Sequence, residues 1–208
     1  MADALEFPEG VRLARLHEIP GAEPDRSALW ARVQQARIVP GYTLVDAPND
    51  VRFGHYAEIN VNASQIWTVF SDLCVALIPD PATLIAAEDD IEPHRIVSAD
   101  VSTLLRALER YQYQLSHDGF LQFGLVNDSP EEIAEVFVTP TKHFKVWLND
   151  DAEFRSVMDK HELRECETIE FIDEYPRVTT RLPEGSAALI DRQKLWEHIS
   201  QLVSGLVQ

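Results

Sequence analysis

The most reactive-looking string in the chain is His161-Glu162-Leu163-Arg164-Glu165. On a helix, two imidazoles at i and i+4 with a glutamate beside the first hold zinc and activate water. Here Glu165 stands where the second imidazole would be. The string also falls at the end of a short helix whose apolar face is Phe154, Val157 and Met158. That context predicts a solvated, charged helix end. The other histidines are His17, His55, His94, His117, His143 and His198, and no two are spaced for a local metal nest. No metal ligands and no cofactor are therefore expected. Neither GxGxxG nor GxxxxGK[ST] occurs, so no phosphate cradle is signalled. There is no GxSxG elbow, and neither Cys74 nor Cys166 has a basic neighbour in sequence. The adjacent pair His117-Asp118 could orient an imidazole, but in a turn such a pair more often caps. No catalytic residue is assigned.

Binding chemistry is better represented. His143, Lys145 and Trp147 alternate with Phe144, Val146 and Leu148, while Phe137 alternates with Val136 and Val138. In a simple hairpin, Phe137, His143, Lys145 and Trp147 share one face. An aromatic anchor beside basic groups suits a binding surface. A sheet side covered by a helix would show the same pattern. The paired acids Glu131-Glu132 and Asp150-Asp151 fall in predicted turns or helix starts, where capping and dipole effects favour them.

Their number matters more than their pairing. The 208 residues carry 35 Asp+Glu against 18 Lys+Arg, a formal net charge of −17. Residues 128–174 alone hold 14 acids against 5 bases, so more than half of the surplus sits in under a quarter of the chain. This balance repels nucleic-acid phosphate. It serves solubility, and it also suits steering of a basic protein partner. A negative surface of this kind can imitate a phosphate backbone.

These residues must be positioned by elements that the hydrophobic period reveals. The first 50 residues, broken by prolines at 8, 20, 24, 40 and 48, read as an arm or outer layer with one short helix on Leu29, Trp30, Val33 and Ala36. Residues 51–208 read as the core domain. Within it, Ala57, Ile59 and Val61 mark a strand. Asn62 with Gln65 resembles a capping box for a helix on Ile66, Phe70, Leu73 and Leu77. Thr83–Ala87 is a short strand before the acidic turn of Glu88, Asp89, Asp90 and Glu92. One long helix is expected from Val101 to Leu115, then a strand from Phe120 to Val126. The hairpin 135–148 turns at Pro140-Thr141-Lys142, and Asp150 with Glu153 caps the next helix. Thr168–Ile172 and Val178–Leu182 read as a strand pair. Leu195, Ile199, Leu202 and Leu206 build a final amphipathic helix, flanked by Trp196 and Val203.

The expected fold class is α+β: an antiparallel sheet of about five or six strands with helices packed on it, in a single domain. No apolar run approaches a membrane span, and the first 20 residues lack the pattern of a secretory leader. Two separated cysteines fit a reducing, cytoplasmic setting. In composition and architecture the chain resembles bacterial toxin-immunity proteins. That resemblance implies binding and neutralising a partner toxin, and assigns no residue a role. The expected function is thus a non-enzymatic protein-binding module with a basic protein partner, using Phe137, His143, Lys145, Trp147, Glu131, Glu132, Asp150 and Asp151. The alternative is a hydrolase assembled through space from His117, Asp118, His161, Glu162 and Glu165. A homodimer through the C-terminal helix would follow if Trp196 and Val203 were exposed.

Overall fold

Alternation in the strands determines the architecture. In the computed structural model, which describes residues 4–47, 52–88, 91–182 and 189–206, seven strands form one antiparallel sheet. In chain order, after a short β1 (Val11–Leu13), they are β2 (Gly41–Asp46), β3 (His55–Asn60), β4 (Ala82–Glu88), β5 (His94–Ala99), β6 (Leu121–Asp128), β7 (Ile133–Val138) and β8 (Phe144–Leu148). Their spatial order is β2-β3-β8-β7-β6-β4-β5. Every second residue of the central strands (Ala57 and Ile59, Val146, Val136, Leu125, Leu84) is buried on one face. The helices α2 (Ile66–Leu77), α3 (Val101–Glu109), α4 (Gln112–His117), α5 (Asp151–Lys160) and α6 (Arg192–Leu206) supply the other half of this core. Phe70 of α2 meets Phe123 of β6 edge-to-face at 4.9 Å, a contact at the centre of the core. The fold is α+β, with helices on one face of an antiparallel sheet.

The sheet has seven strands against the five or six expected. β2 and β5 are the edges, each paired on one side only, so their sequences need not alternate strongly. The expected helix 101–115 is two helices, broken at Arg110–Tyr111. The break lets the Tyr111 hydroxyl reach His198 Nδ1 at 2.7 Å and lets Gln114 exchange two hydrogen bonds with the backbone of Ile190. Asn62 does not cap α2. Its Oδ1 accepts from Glu6 N, and a 3-10 turn at Ala63–Gln65 leads into the helix. Thr168–Ile172 is not a strand. β9 (Arg177–Thr179) pairs instead with β1 in a separate two-stranded ribbon. Asp89 and Asp90 of the acidic turn lie outside the described residues.

The ribbon docks on the sheet through two glycines. Gly10 N donates to His117 O, Gly119 N to Thr180 O, and Thr180 N to Gly10 O. A Cβ on Gly10 would lie 2.3 Å from His117 O, and one on Gly119 2.3 Å from Gly10 O. Only glycine permits so close a backbone crossing. α1 (Asp25–Gln35) packs on this layer through Val33, against Ala14 and Ile19.

At the C-terminus, Trp196 and Val203 are buried in the chain's own core. The exposure that pairing through α6 would need is not present at those positions. No helix among the described residues is long and apolar enough to cross a membrane.

Candidate functional site

The face of the sheet opposite the helices carries the site. Two lateral rows of side chains cross it. One runs Val45, Tyr56, Trp147, Glu135, Val126, Thr83; the next runs Thr43, Glu58, Lys145, Phe137, Gly124, Ile85. Strand parity puts them there: each residue is one step out of phase with the buried set. Phe137 and Lys145 are direct cross-strand partners, and Trp147 pairs across with both Tyr56 and Glu135. The Tyr56 and Trp147 rings lie 5.1 Å apart, tilted by 52°. The Phe137 ring lies over Gly124, where a Cβ would meet its Cδ2 at 2.8 Å. Glycine at this position is therefore what lets the ring lie flat on the sheet.

Glu135 is the unusual member. Burial between its neighbours, with the Asp128 charge added, raises its carboxyl from the usual 4.5 to about 7. No described group donates a hydrogen bond to it or pairs with it. Asp128, by contrast, is shared by Arg52 at 2.6 Å and Arg95 at 2.7 Å. Burial, with Glu58 nearby, also holds the Tyr56 hydroxyl far above its usual pKa. Such a desolvated carboxylate beside two tilted aromatic rings is of a chemistry that suits a cation.

The two ends of this face differ. At the end of Trp147 and Glu135, the β6–β7 turn exposes Glu131 and Glu132, and Asp150 and Asp151 follow β8. These four acids are brought to one end of the sheet, and two of them have structural work. Asp150 Oδ1 accepts from the N–H groups of Ala152 and Glu153, both at 3.0 Å, and so caps α5. Asp151 pairs with Arg155 one turn on, at 3.3 Å.

At the other end, the open face runs into a cleft of about 460 Å³, lined by Phe120, Phe137, His143, Lys145, Asp173 and Arg177 among others. His143 keeps the expected parity but is roofed over, only 5 % exposed. Its ring lies 4.9 Å from Phe171. It is a wall residue of the cleft, not part of an exposed patch. The turn that presents it puts Lys142 in the left-handed region at φ 67°. That geometry sends the Lys142 ammonium inward, where Nζ donates to Leu121 O at 2.6 Å. Burial lowers the lysine from 10.5 to about 7, against the pull of Asp118.

The five residues of the hydrolase alternative are spread over separate places. His117 accepts from Glu9 N at 3.3 Å and stacks on Tyr113 at 4.6 Å, and burial lowers its pKa. Asp118 Oδ1 accepts from Phe120 N. Both stabilise the junction where the ribbon docks. His161 closes α5, with Nε2 2.7 Å from Asp72, which also holds Lys160 at 2.7 Å. Glu162 takes a left-handed conformation (φ 57°) and Leu163 N donates to Met158 O, so the string is a helix stop. Glu165 is held by Arg155. His161 does border a second groove, between α2, α3 and α5, beside Trp67, Leu105 and the 69 % exposed Val75. Among the described residues no group of three or more His, Cys, Asp or Glu is placed to hold a metal ion.

Sequence reasoning passed over Glu135, Tyr56, Asp173 and Arg177. The parity that placed Phe137 also places Glu135, so that signal was present. Asp173 and Arg177 reach the cleft through a segment with no regular period. Comparison with family models, with curated proteins and with solved structures found no match for this chain. Any functional reading therefore rests on these side chains.

Proposed function

We propose that the chain is a non-enzymatic protein-binding module whose open sheet face holds a basic segment of a partner protein. The observation that carries this reading is Glu135: a half-buried carboxylate without a partner, beside the Tyr56–Trp147 pair. An arginine or lysine of the partner would stack on Trp147 and pair with Glu135. It would replace a desolvation penalty with a charge-assisted hydrogen bond. Glu131, Glu132 and Asp150 would steer the approach and make it sensitive to salt. Lys145 and Glu58, side by side in the next row, give the surface a register rather than a uniform charge. Neutralising a basic toxin, the role that the compositional resemblance suggests, belongs to this class of function.

The test is affinity capture from native lysate at low and high salt, read by mass spectrometry, with the wild type beside Trp147→Ala and Glu135→Gln. A basic protein retained by the wild type, released by salt and lost with both variants is the expected result. If nothing basic is retained, or the variants retain the same proteins as the wild type, the sheet face is not the docking surface.

A further inference from the structure

The cleft at the far end of the sheet holds a different kind of group. His143 is buried, yet its ring forms part of the cleft wall. Its protonation pattern follows from the hydroxyls around it. Thr139 Oγ1 donates to His143 O at 3.1 Å, and Thr141 Oγ1 donates to Asp173 Oδ2 at 3.0 Å. The two hydroxyls also lie 3.1 Å from each other, and Asp173 Oδ2, which can only accept, faces Nδ1 beside them. Nδ1 lies 3.0 Å from Thr139 Oγ1, 3.2 Å from Thr141 Oγ1 and 3.3 Å from Asp173 Oδ2. Facing three acceptors, it is the nitrogen that carries the ring proton. Nε2 is left as a bare acceptor, and no described group bonds it. Burial keeps the ring neutral by lowering its pKa, even beside Asp173 and with Lys145 and Arg177 acting in the same direction as burial.

The rest of the wall has its own chemistry. Lys145 has no ion pair among the described residues. Arg177 spends Nε and one terminal nitrogen on Asp173, at 3.2 and 3.3 Å. Glu92 and Asp173 line the cleft beside these two cations and Glu58 faces Lys145 across the strand pair, so a second negative charge on a ligand would be unmatched. Phe120 and Phe137 supply apolar walls. The volume, about 460 Å³, is that of a small-molecule site.

We propose that this cleft binds a small monocarboxylate that also carries an O–H or N–H donor. The carboxylate lies against Lys145 and Arg177, and the donor bonds His143 Nε2. The cleft begins one row beyond the Glu135–Trp147 pair, and Lys145 and Phe137 border both surfaces.

The test is NMR of the wild-type protein labelled at the histidine ring nitrogens, titrated with three sets of probes. These are hydroxycarboxylates (lactate, mandelate, malate), the same acids without the hydroxyl (propionate, phenylacetate, succinate), and inorganic phosphate. Lactate or mandelate is expected to shift the His143 Nε2 resonance in a saturable way, and malate, with its second charge, to bind more weakly. The matched acid without the hydroxyl should bind at least about tenfold more weakly, as should the same hydroxycarboxylate to Lys145→Met. That variant leaves the His143 turn intact, so its folding is checked by unchanged backbone spectra. If neither lactate nor mandelate moves the His143 resonances up to 20 mM, or malate binds better than both, the proposal fails. It also fails if the shifts persist in Lys145→Met or if phosphate binds better than every carboxylate.

Discussion

Glu135→Gln is expected to make the free protein more stable while weakening its hold on a partner. The carboxyl titrates near 7 in the folded chain and near 4.5 when unfolded. Between those values the native state keeps a proton that the unfolded state has lost, so stability falls as pH rises through this window. The penalty is absent below about 4.5 and complete above 7. Two and a half units at about 1.4 kcal/mol each correspond to about 3 kcal/mol. The side chain is only half buried, and solvent screening reduces this to about 1–2 kcal/mol. Glutamine keeps the shape and carries no charge, so the variant should gain that amount at pH 8. At pH 5.5 the gain should shrink by about 1 kcal/mol. The assay is urea unfolding of both proteins at the two pH values, with equal m-values as the check on a common mechanism. A variant that is less stable than the wild type, or a difference that does not change with pH, would mean that Glu135 already has a partner in the free chain. Glu135 would then not be the group that receives a partner's cation.

Three further expectations concern the frame around the site. For Lys142 the sign is reversed: its folded pKa is about 7 against 10.5 unfolded, so its penalty is complete below pH 7 and disappears as pH rises toward 10.5. Relative to Lys142→Met, the wild type should gain about 2–3 kcal/mol between pH 6 and pH 9, and parallel stability curves would refute the burial. Gly124→Ala should cost about 1–3 kcal/mol by thermal unfolding, because the new methyl meets Val136 O at 2.6 Å as well as the Phe137 ring; a neutral result would show that the ring does not lie there. Asp150→Ala should lose the α5 cap, about 1 kcal/mol, seen as a melting temperature lower by about 2–4 °C, and no change would mean that its carboxylate is not spent on the helix.

How much of this could be read from the chain depends on the range of the interaction. The β7–β8 hairpin is local, and its parity alone placed Phe137, Lys145 and Trp147 on one face and Val136 and Val146 on the other. The cap at Asp150 is likewise local. Gly41–Asp46 follows Pro40-Gly41, a pair that reads as a stop, yet it pairs with β3 along its whole length. Thr168–Ile172 has a strand-like alternation, but the pairing partner that Val178 finds is Arg12, far away in sequence. Which alternating segment becomes a strand is decided by such a distant partner. His143 shows the same limit at the site. Its side of the sheet was legible, whereas the roof of Phe171 and Asp173 belongs to a segment nearly 30 residues later. An unpaired carboxylate is equally a through-space property, so Glu135 looked like any other acid of an acidic chain.

The two faces of the sheet then answer different demands. The helix-side face is built from Ala57, Ile59, Phe123, Leu125, Val136 and Val146, without a titratable group among them, and its burial stabilises the fold in the ordinary way. The opposite face carries the opposite-charge pair Glu58–Lys145, as a stable sheet would, but puts Glu135, Trp147 and Tyr56 beside it without a countercharge for Glu135 among the described residues. A raised carboxyl at Glu135 is a standing cost to the free chain. So is an imidazole nitrogen in a cleft wall to which no described group donates a hydrogen bond. Costs of this kind persist when something outside the chain relieves them, because mutation to a neutral isostere is always within reach. Relief at Glu135 requires a cation, and relief at His143 Nε2 requires a hydrogen-bond donor. The two are different chemistries on one face, so the proposed basic partner on the sheet and the proposed small acid in the cleft would be separate occupants and not alternative views of one.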